Sequence, residues 1–290
     1  EYTDDGPILS NDMYNGEVYD ATRTLKPYHY SKVGTTTAEA LGIGQIISQI
    51  SGSVKPMEIL EPVAVTEPKE GLHIFDFGQN FAGVVELTVN TEAGTQIMMR
   101  HAEALNNGEP NADGDPGTLY LGTLRNAKPN DYYTAKGGGS ETYRPSFTYH
   151  GFRYVEISGI DLEDIVSVKG IVLYSDMEDT GSFESSNSLV NRLERNVYWG
   201  QRSNFLSIPT DCPQRDERYG YTGDSQVFSD TSGYNMDVKA FFDQYLMSVN
   251  DCVFDNGAFP NSAPGAPPND RNDPAYNGWA DGGVIIPYNM

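Results

Sequence analysis

The segment DCPQRDERYGYTGD, residues 211–224, holds four carboxylates and two arginines within fourteen positions. Such a density of charge is poor material for a buried core, because each buried charge needs a partner. It suits a sugar pocket, since carboxylates accept hydrogen bonds from hydroxyls, arginine orients carboxylates through its planar fork, and tyrosine rings cover the apolar face of a pyranose. A solvated polar loop without function is the alternative interpretation of the same composition.

The composition of the whole chain predicts a folded, acidic protein. A length of 290 residues suits about two domains. Hydrophobic residues at 38%, aromatic residues at 11% and 19 tyrosines favour β-rich folded domains over a disordered acidic chain. Nineteen basic residues against 41 acidic ones give a net charge of −22, which disfavours binding to nucleic acid or anionic lipid.

The cysteines and the hydropathy of the chain limit further which classes of protein it can belong to. Cys212 and Cys252 make neither a disulfide framework nor a paired zinc motif. Cys212 lies in the polar segment, but all four histidines lie well upstream, so a structural cysteine is favoured over a catalytic thiol. No apolar run is long enough to predict membrane insertion. Residues 1–5 lack signal-peptide character, which leaves cytoplasmic, periplasmic and secreted locations open.

Residues 61–177 predict a β-sandwich domain of jelly-roll type, because short alternating runs are separated by glycine and proline turns. Residues 1–60 are interpreted as a partial unit, with Val54–Pro68 as a linker or an edge strand. The polar loop 106–117 does not fit the EF-hand template, so no metal is predicted. The predicted strands are Leu72–Phe77, Val84–Val89, Thr95–His101, Tyr132–Thr134, Ser146–His150, Tyr154–Ile157 and Ser167–Tyr174.

The pattern becomes helical near residue 178. Leu189, Leu193 and Val197 recur every fourth residue and predict an amphipathic helix over 188–203. A second helical pattern runs over 224–233. A third helix is predicted from apolar residues on one face, namely Val238, Phe241, Phe242, Tyr245, Leu246 and Val249.

Residues 211–224 resemble the signature of bacterial α-L-rhamnosidases of glycoside hydrolase family 78, which commonly reads DCPQRDER-x-GWTGD. Tyr221 stands where the family commonly has tryptophan. Residues 15–23, 76–83 and 145–155 are also similar to family segments. The first of these similarities implies that residues 1–60 are the end of an upstream β-sandwich module plus a linker. The resemblance implies a multidomain protein in which a β-sandwich precedes the first part of an (α/α)6 helical barrel at residues 178–290, with the chain stopping inside that domain.

The resemblance also implies an activity and a set of site residues. The substrate would be a rhamnose-containing oligosaccharide, polysaccharide or glycoside, and no cofactor is implied. Hydrolysis would invert configuration, with the general base beyond residue 290, so residues 1–290 alone are expected to be inactive. The implied roles are Glu217 as general acid, Asp211, Arg215 and Asp224 as ligands of the sugar or supports of the acid, Tyr221 as a stacking ring, and Trp279 as a second wall of the pocket.

The acid role calls for a raised pKa. The neighbouring carboxylates of Asp211, Asp216 and Asp224 favour this, whereas Arg215 and Arg218 oppose it. For Trp279, a place in the core is an equally good interpretation.

Two other functions stay open from the sequence. One is a non-enzymatic carbohydrate-binding module formed by the sandwich, and the other is a helical-barrel glycosidase for a different sugar. The polar residues Asp76, Gln79 and Asn80 could contact sugar, but they are predicted instead to bridge turns or to pack at a domain interface, because aspartate and asparagine are ordinary turn residues. The aromatic cluster of residues 147–154 is predicted to pack in the core or at an interface.

Overall fold

The computed structural model describes residues 6–23, 36–37, 42, 47–265 and 276–290. The strands of this part are β1 (Ile8–Asp12), β2 (Gly16–Asp20), β3 (Val54–Leu60), β4 (Ala64–Lys69), β5 (Leu72–Val89), β6 (Gln96–Ala102), β7 (Ala104–Leu105), β8 (Leu119–Tyr120), β9 (Asn130–Thr134), β10 (Glu141–Tyr143), β11 (His150–Ser158), β12 (Ile165–Ser175), β13 (Phe205–Leu206) and β14 (Ile208–Pro209). The helices are α1 (Ser188–Asn204), α2 (Thr222–Asn235), α3 (Lys239–Asp251) and α4 (Gly282–Asn289).

Ten strands form one curled sheet in the order β1-β2-β9-β6-β11-β5-β12-β3, and β4 and β10 also pair with β5. The β2–β9 pair is parallel, whereas β5 pairs antiparallel with each of its neighbours. At Gly83 the backbone of β5 comes so close to β12 that a Cβ atom would lie 2.1 Å from the Ile171 oxygen. Glycine therefore permits the tight pairing at the centre of the sheet.

One long strand replaces two predicted ones. Leu72–Phe77 and Val84–Val89 were expected to be separate strands, but both belong to β5. The pairing of β5 with β11 shifts register between Phe152 and Tyr154, so residues 77–80 are accommodated as a bulge. Gly78, with φ of 72°, makes this bulge without reversing the chain. The glycine thus marks an irregular strand rather than a turn.

The predicted strand Ser146–His150 is also wrong in its first four residues, since β11 begins at His150. The polar groups of Ser146 and Thr148 instead form hydrogen bonds with the hairpin of β1 and β2. Ser146 N donates to Glu17 Oε2 at 3.2 Å, and Thr148 Oγ1 donates to Asp12 O at 3.2 Å. The other predicted strands, and the edge strand expected within Val54–Pro68, are confirmed.

The sheet crosses the predicted boundary at residue 60. The strands β1, β2 and β3 precede this boundary, yet they belong to the same hydrogen-bonded sheet as β5. Glu17 on β2 is fully buried and accepts a hydrogen bond from Tyr143 Oη at 3.1 Å. The divisions at residues 60 and 177 remain predictions, as does the separate upstream module. Half of residues 34–53 lies outside the described residues.

The three predicted helices are confirmed as α1, α2 and α3. The apolar row of α1 is not buried as its spacing predicted, because Leu189 is 78% exposed and Leu193 is 62% exposed. A continuous apolar core links sheet residues such as Phe81 and Phe152 with Phe205 and Phe241 of the helical region. None of the helices in the described ranges combines the length and hydropathy that a membrane span requires.

Asp76 ties β5 to β11, in agreement with its predicted structural role. Its two carboxylate oxygens accept from Arg153 Nε and Nη2 at 2.7 and 2.8 Å, and Oδ1 also accepts from Gly78 N at 2.6 Å. The hydrogen bonds from Arg153 hold the pKa of Asp76 below its ordinary value of 3.8, although partial burial opposes them. The ionised form is therefore the one that stabilises the fold.

This pairing gives a pH-dependent prediction. Because the folded pKa of Asp76 is depressed, its contribution is fully present above pH 3.8 and is lost as the pH falls through the folded pKa. We expect D76N to lower the free energy of unfolding by about 1 kcal/mol at pH 7 and by progressively less as the pH falls below 3.8 and through the folded pKa. Thermal unfolding at several pH values measures this. D176N is the matched control, because the Lys55–Asp176 pair is exposed. An equal loss at all pH values would contradict the prediction.

Candidate active site

Residues 210–221 form the loop between β14 and α2. The Asp211 backbone N donates to Tyr219 O at 3.0 Å, and Asp211 Oδ1 accepts from Tyr219 N at 2.9 Å. The loop is therefore closed on itself by an aspartate at its start. At its end, Gly220 O accepts from Tyr245 Oη of α3 at 2.7 Å. The intervening residues are held as one compact turn.

Arg218 anchors the loop to the sheet region. Its side chain is buried, and its backbone adopts a positive φ of 62°. The guanidinium donates from Nη1 to Met13 O at 2.8 Å and to Tyr149 O at 2.7 Å, and from Nε to Arg215 O at 3.2 Å. It also lies 5.5 Å from the Tyr14 ring centre and 4.7 Å from that of Tyr149. Three carbonyls and two rings thus compensate for the burial of one charge.

Two further contacts bring the loop against the strands. Tyr14 Oη, in the turn between β1 and β2, donates to the backbone oxygen of Glu217 at 2.8 Å. At Gly151 of β11, a Cβ atom would lie 2.6 Å from Pro213 Cγ and 2.9 Å from Gln214 N. Only glycine leaves room for this approach. The sheet region therefore fixes the back of the loop that carries Glu217.

The side chains at the front form a charged cluster. Glu217 Oε2 accepts from Arg215 Nε at 2.8 Å and lies 2.8 Å from Arg125 Nη1. Its other oxygen, Oε1, accepts from Tyr221 Oη at 3.3 Å. Arg215 Nη2 also donates to Asp211 Oδ2 at 3.3 Å, so one guanidinium spans the two carboxylates. Four of the six predicted site residues are thereby in direct contact.

The sequence left open whether the pKa of Glu217 is raised or lowered, and the structure gives a direction for each carboxylate of the cluster. Partial burial acts to raise the pKa of Glu217, but the charge of Arg215, a hydrogen bond with Asp211 and the charge of Arg125 outweigh it and hold the pKa below its usual range. Burial raises the pKa of Asp211, and the adjacent Glu217 carboxylate adds to this effect. Burial also raises the pKa of Asp224, with the same carboxylate contributing. The neighbours, rather than Glu217, have raised pKa values.

A cavity of about 610 Å³ adjoins the cluster. Asp211, Asp224 and Trp279 line it, with an apolar wall that includes Val197, Phe205 and Phe228. Trp279 is 42% exposed, so it is not a core tryptophan. It packs on Gly223 of α2, where a Cβ atom would lie 3.0 Å from the Trp279 ring.

Three of the predicted site residues, Arg215, Glu217 and Tyr221, lie beside the cavity rather than in its lining. They adjoin it through Asp211, which both lines the cavity and bonds to Arg215. The side chain of Glu217 is 18% exposed, and its carboxylate is held by protein groups, so it does not project freely into solvent. The arrangement places the cavity next to carboxylates and a tyrosine, which are groups that can hydrogen-bond to hydroxyls and exchange protons.

Two groups in the described ranges place metal-ligand atoms within 4.8 Å of one another, namely Asp211 with Cys212 and Glu217, and His101 with Asp131 and His150. In the first, burial raises the pKa of the Cys212 thiol to about 12, which makes it a poor ligand and a poor nucleophile. In the second, burial lowers the pKa of His101 to about 3, and His150 Nε2 lies 3.1 Å from Asp131 Oδ2. A buried hydrogen-bonded network accounts for this second group.

Sequence reasoning missed the residues that reach the loop from the sheet region. These are Tyr14, Arg125 and Asn126, the last donating from Nδ2 to Asp216 Oδ2 at 2.9 Å. Each is separated from its partner by at least 90 positions, and none belongs to a recognisable motif. No local signal in the sequence identifies them.

Comparisons with known proteins agree with this architecture. Residues 66–174 match the model of the bacterial alpha-L-rhamnosidase concanavalin-like domain. Residues 178–290 match the model of the bacterial alpha-L-rhamnosidase 6 hairpin glycosidase domain. Among curated proteins, an alpha-L-rhamnosidase of Streptomyces avermitilis is 41% identical over 98% of this chain, and one of Formosa agariphila is 38% identical over 99%.

Solved structures give the same result. The Streptomyces avermitilis alpha-L-rhamnosidase complexed with L-rhamnose superposes with a TM-score of 0.87 at 40% identity over 98% of this chain. The alpha-L-rhamnosidase from Dictyoglumus thermophilum gives a TM-score of 0.86 at 36% identity over 98%. The chain spans 27% and 32% of these two structures, and 27% and 31% of the two curated relatives. By its two matched domains and its signature loop, the chain belongs to the bacterial α-L-rhamnosidases of glycoside hydrolase family 78.

Proposed function

We propose that the protein containing this chain removes terminal non-reducing α-L-rhamnose from rhamnosides, with Glu217 as general acid and inversion at the anomeric carbon. The observation that carries the proposal is the Asp211–Arg215–Glu217 cluster beside the cavity lined by Asp224 and Trp279. Relatives named alpha-L-rhamnosidase at 41% and 38% identity support the substrate class.

In this proposal the cavity takes the rhamnose ring. Asp211 and Asp224 bind its hydroxyls, because carboxylates are strong acceptors and burial strengthens such bonds. Trp279 covers an apolar face of the sugar, with an exposed ring suited to that purpose. Tyr221 lies next to Glu217 and contributes both a ring and a hydroxyl. Its smaller ring, compared with tryptophan, alters the shape of the subsite but not the type of reaction.

The pKa directions within the cluster suggest a route for the proton that the leaving group requires. Asp211 has a raised pKa and is hydrogen-bonded to Glu217, whose pKa is lowered. We infer that a proton bound by the pair lies on Asp211 rather than Glu217 in the unliganded protein, and that Glu217 receives it when the substrate enters. Rhamnose hydroxyls that bind Asp211 would favour its ionised form and thus promote this transfer.

Inversion requires a second carboxylate on the opposite face of the sugar, about 6.5–9.5 Å from the acid, with room for a water molecule between them. We propose that this base lies outside residues 1–290 and that the four helices are part of an (α/α)6 barrel, preceded by a jelly-roll-like sandwich. On this proposal, residues 1–290 alone bind sugar weakly and do not turn it over.

A second candidate is sugar binding without hydrolysis by the sheet region. It is favoured by one feature, the 71%-exposed ring of Phe147 beside a second cavity of about 710 Å³. The rest of the predicted aromatic cluster does not form a platform, because Phe152 is fully buried and Tyr149 packs on Arg218. The first proposal is therefore preferred.

A panel of 4-nitrophenyl glycosides tests the proposal on the natural-length protein, meaning the whole gene product in which this sequence occurs. We expect cleavage of the α-L-rhamnoside and no comparable cleavage of other sugars. Proton NMR of early product should show β-L-rhamnose before mutarotation. Cleavage of a different glycoside would support a glycosidase for another sugar, and binding of L-rhamnose without any cleavage would support the sugar-binding module. Early release of α-L-rhamnose would contradict inversion.

A further inference from the structure

We propose that Arg125, presented by a turn of the sheet region, is a positioning residue for the acid Glu217 and sets the pH range in which that acid works. This inference rests on the proposed role of Glu217. The contact is direct, because Arg125 Nη1 lies 2.8 Å from Glu217 Oε2. The sheet region therefore helps to position Glu217, which lies in the helical half of the chain.

The backbone conformation at Arg125 is unfavourable for a residue with a side chain. Residues 124–127 form a β-turn closed by a hydrogen bond from Ala127 N to Leu124 O at 3.1 Å. Arg125 occupies the first central position with φ of 54° and ψ of −114°. These angles are those of a type II′ turn, in which this position is normally glycine. A strained conformation at a functional contact is typical of a residue held for what its side chain does.

The turn is fixed on both sides of Arg125. Leu124 is buried in the sheet region, and Asn126 Nδ2 donates to Asp216 Oδ2 at 2.9 Å. Lys128 N donates to Asn15 Oδ1 at 3.1 Å, which ties the following residues to the first hairpin. The guanidinium is thus delivered by a rigid scaffold, although it is itself half exposed.

The donors around Glu217 then assign different roles to its two oxygens. Oε2 lies within 2.8 Å of Arg215 Nε, Arg215 Nη2 and Arg125 Nη1, and these groups can only donate. A proton on Oε2 would be repelled by them. Oε1 faces the Tyr221 hydroxyl at 3.3 Å, which can turn to accept as well as donate. We therefore assign Oε1 as the oxygen that carries the proton to the leaving group.

The charged and titratable groups that face Glu217 come from three parts of the fold. They are Arg215, Asp211 and Cys212 of its own loop, Arg125 of the turn 124–127, and Tyr221 with Asp224 at the start of α2. Arg125 is the positive charge among them that comes from the sheet region. Its removal leaves Arg215 in place, so the carboxylate stays paired but is less strongly held in its ionised form.

Four variants of the natural-length protein test the proposal through kcat/KM as a function of pH on an α-L-rhamnoside with a poor leaving group. R125M should move the alkaline limb of the pH profile to higher pH by about half to one unit. It should also lower kcat/KM at the optimum about tenfold. R125K should leave the limb near that of the wild type, because the charge is kept. R144M is the matched control, since Arg144 is an equally exposed arginine paired with Glu86 on the sheet, and it should behave as wild type.

R125G separates positioning from folding. Glycine relieves the turn, so Tm should be unchanged or higher, while the pH profile shifts as in R125M. The proposal is overturned if the alkaline limbs of R125M and R125G both coincide with that of the wild type. It is also overturned if R125G has a lower Tm than the wild type and an unshifted pH profile. The proposed substrate is tested separately, since the wild type is first assayed on the glycoside panel. If it cleaves another glycoside instead, the same four profiles are recorded on that substrate.

Discussion

Replacing Glu217 by glutamine should lower kcat/KM on alkyl α-L-rhamnosides by about 10²- to 10⁴-fold. The same variant should lose less than about tenfold on a 2,4-dinitrophenyl rhamnoside, because that leaving group departs as a stable anion and needs little protonation. Glutamine keeps the shape of the side chain and can still bond to Arg215, so the loss reports the missing proton rather than a collapsed loop. Steady-state kinetics on the two substrates measure the contrast.

E86Q is the matched control, because Glu86 is a partly exposed carboxylate of β5 whose partner is Arg144. It should leave both substrates unaffected. D211N should resemble E217Q only in part, since it removes the group with the raised pKa but leaves the acid in place. An equal loss of E217Q activity on both substrates would mean that Glu217 does not act as the acid.

The largest effect on stability is expected from R218M. Methionine keeps much of the volume, but the three hydrogen bonds from the buried guanidinium to the carbonyl oxygens of Met13, Tyr149 and Arg215 are lost. Each lost hydrogen bond from a charged donor costs about 1 kcal/mol or more, so the free energy of unfolding should fall by about 2–4 kcal/mol. Urea unfolding followed by circular dichroism measures the shift of the midpoint. Activity should fall as well, because the loop that carries Glu217 loses its anchor.

R202M provides the comparison for R218M. Arg202 also lies among aromatic rings, 4.3 Å from the ring centre of Tyr198 and 5.2 Å from that of Trp199, but it forms ion pairs with Glu58 and Asp179. This variant should lower stability by about 1 kcal/mol and leave kcat/KM unchanged. If R218M were as stable as the wild type, the three carbonyl contacts would not be what holds the loop.

Much of the secondary structure is encoded locally, and its prediction succeeded for that reason. The Asn187 cap and the following periodic residues specify α1, and one apolar face specifies α3. Periodicity identifies a face without saying what covers it, so the exposure of Leu189 and Leu193 could not be predicted. The merging of two predicted strands into β5 depends on a bulge, which a break in alternation does not distinguish from a turn.

The candidate site is likewise predictable from the sequence only in part. Residues 211–224 contain Asp211, Arg215, Glu217, Tyr221 and Asp224 within one short segment, so the motif alone could nominate them. Their support depends on contacts between distant parts of the chain, such as the 205 positions that separate Met13 from Arg218. The pKa order within the cluster depends on Arg125 and on burial, and neither is visible in a linear motif.

The support of the loop by the sheet region limits how this protein can be recombined with its relatives. A chimera that exchanges only the helical half would pair a new loop with an unmatched Tyr14, Arg125 and Tyr149. Even a perfect signature segment would then lack its hydrogen bond to the Glu217 backbone and its carbonyl partners for Arg218. The hairpin near the start of the chain should therefore be inherited together with the loop as one unit of exchange.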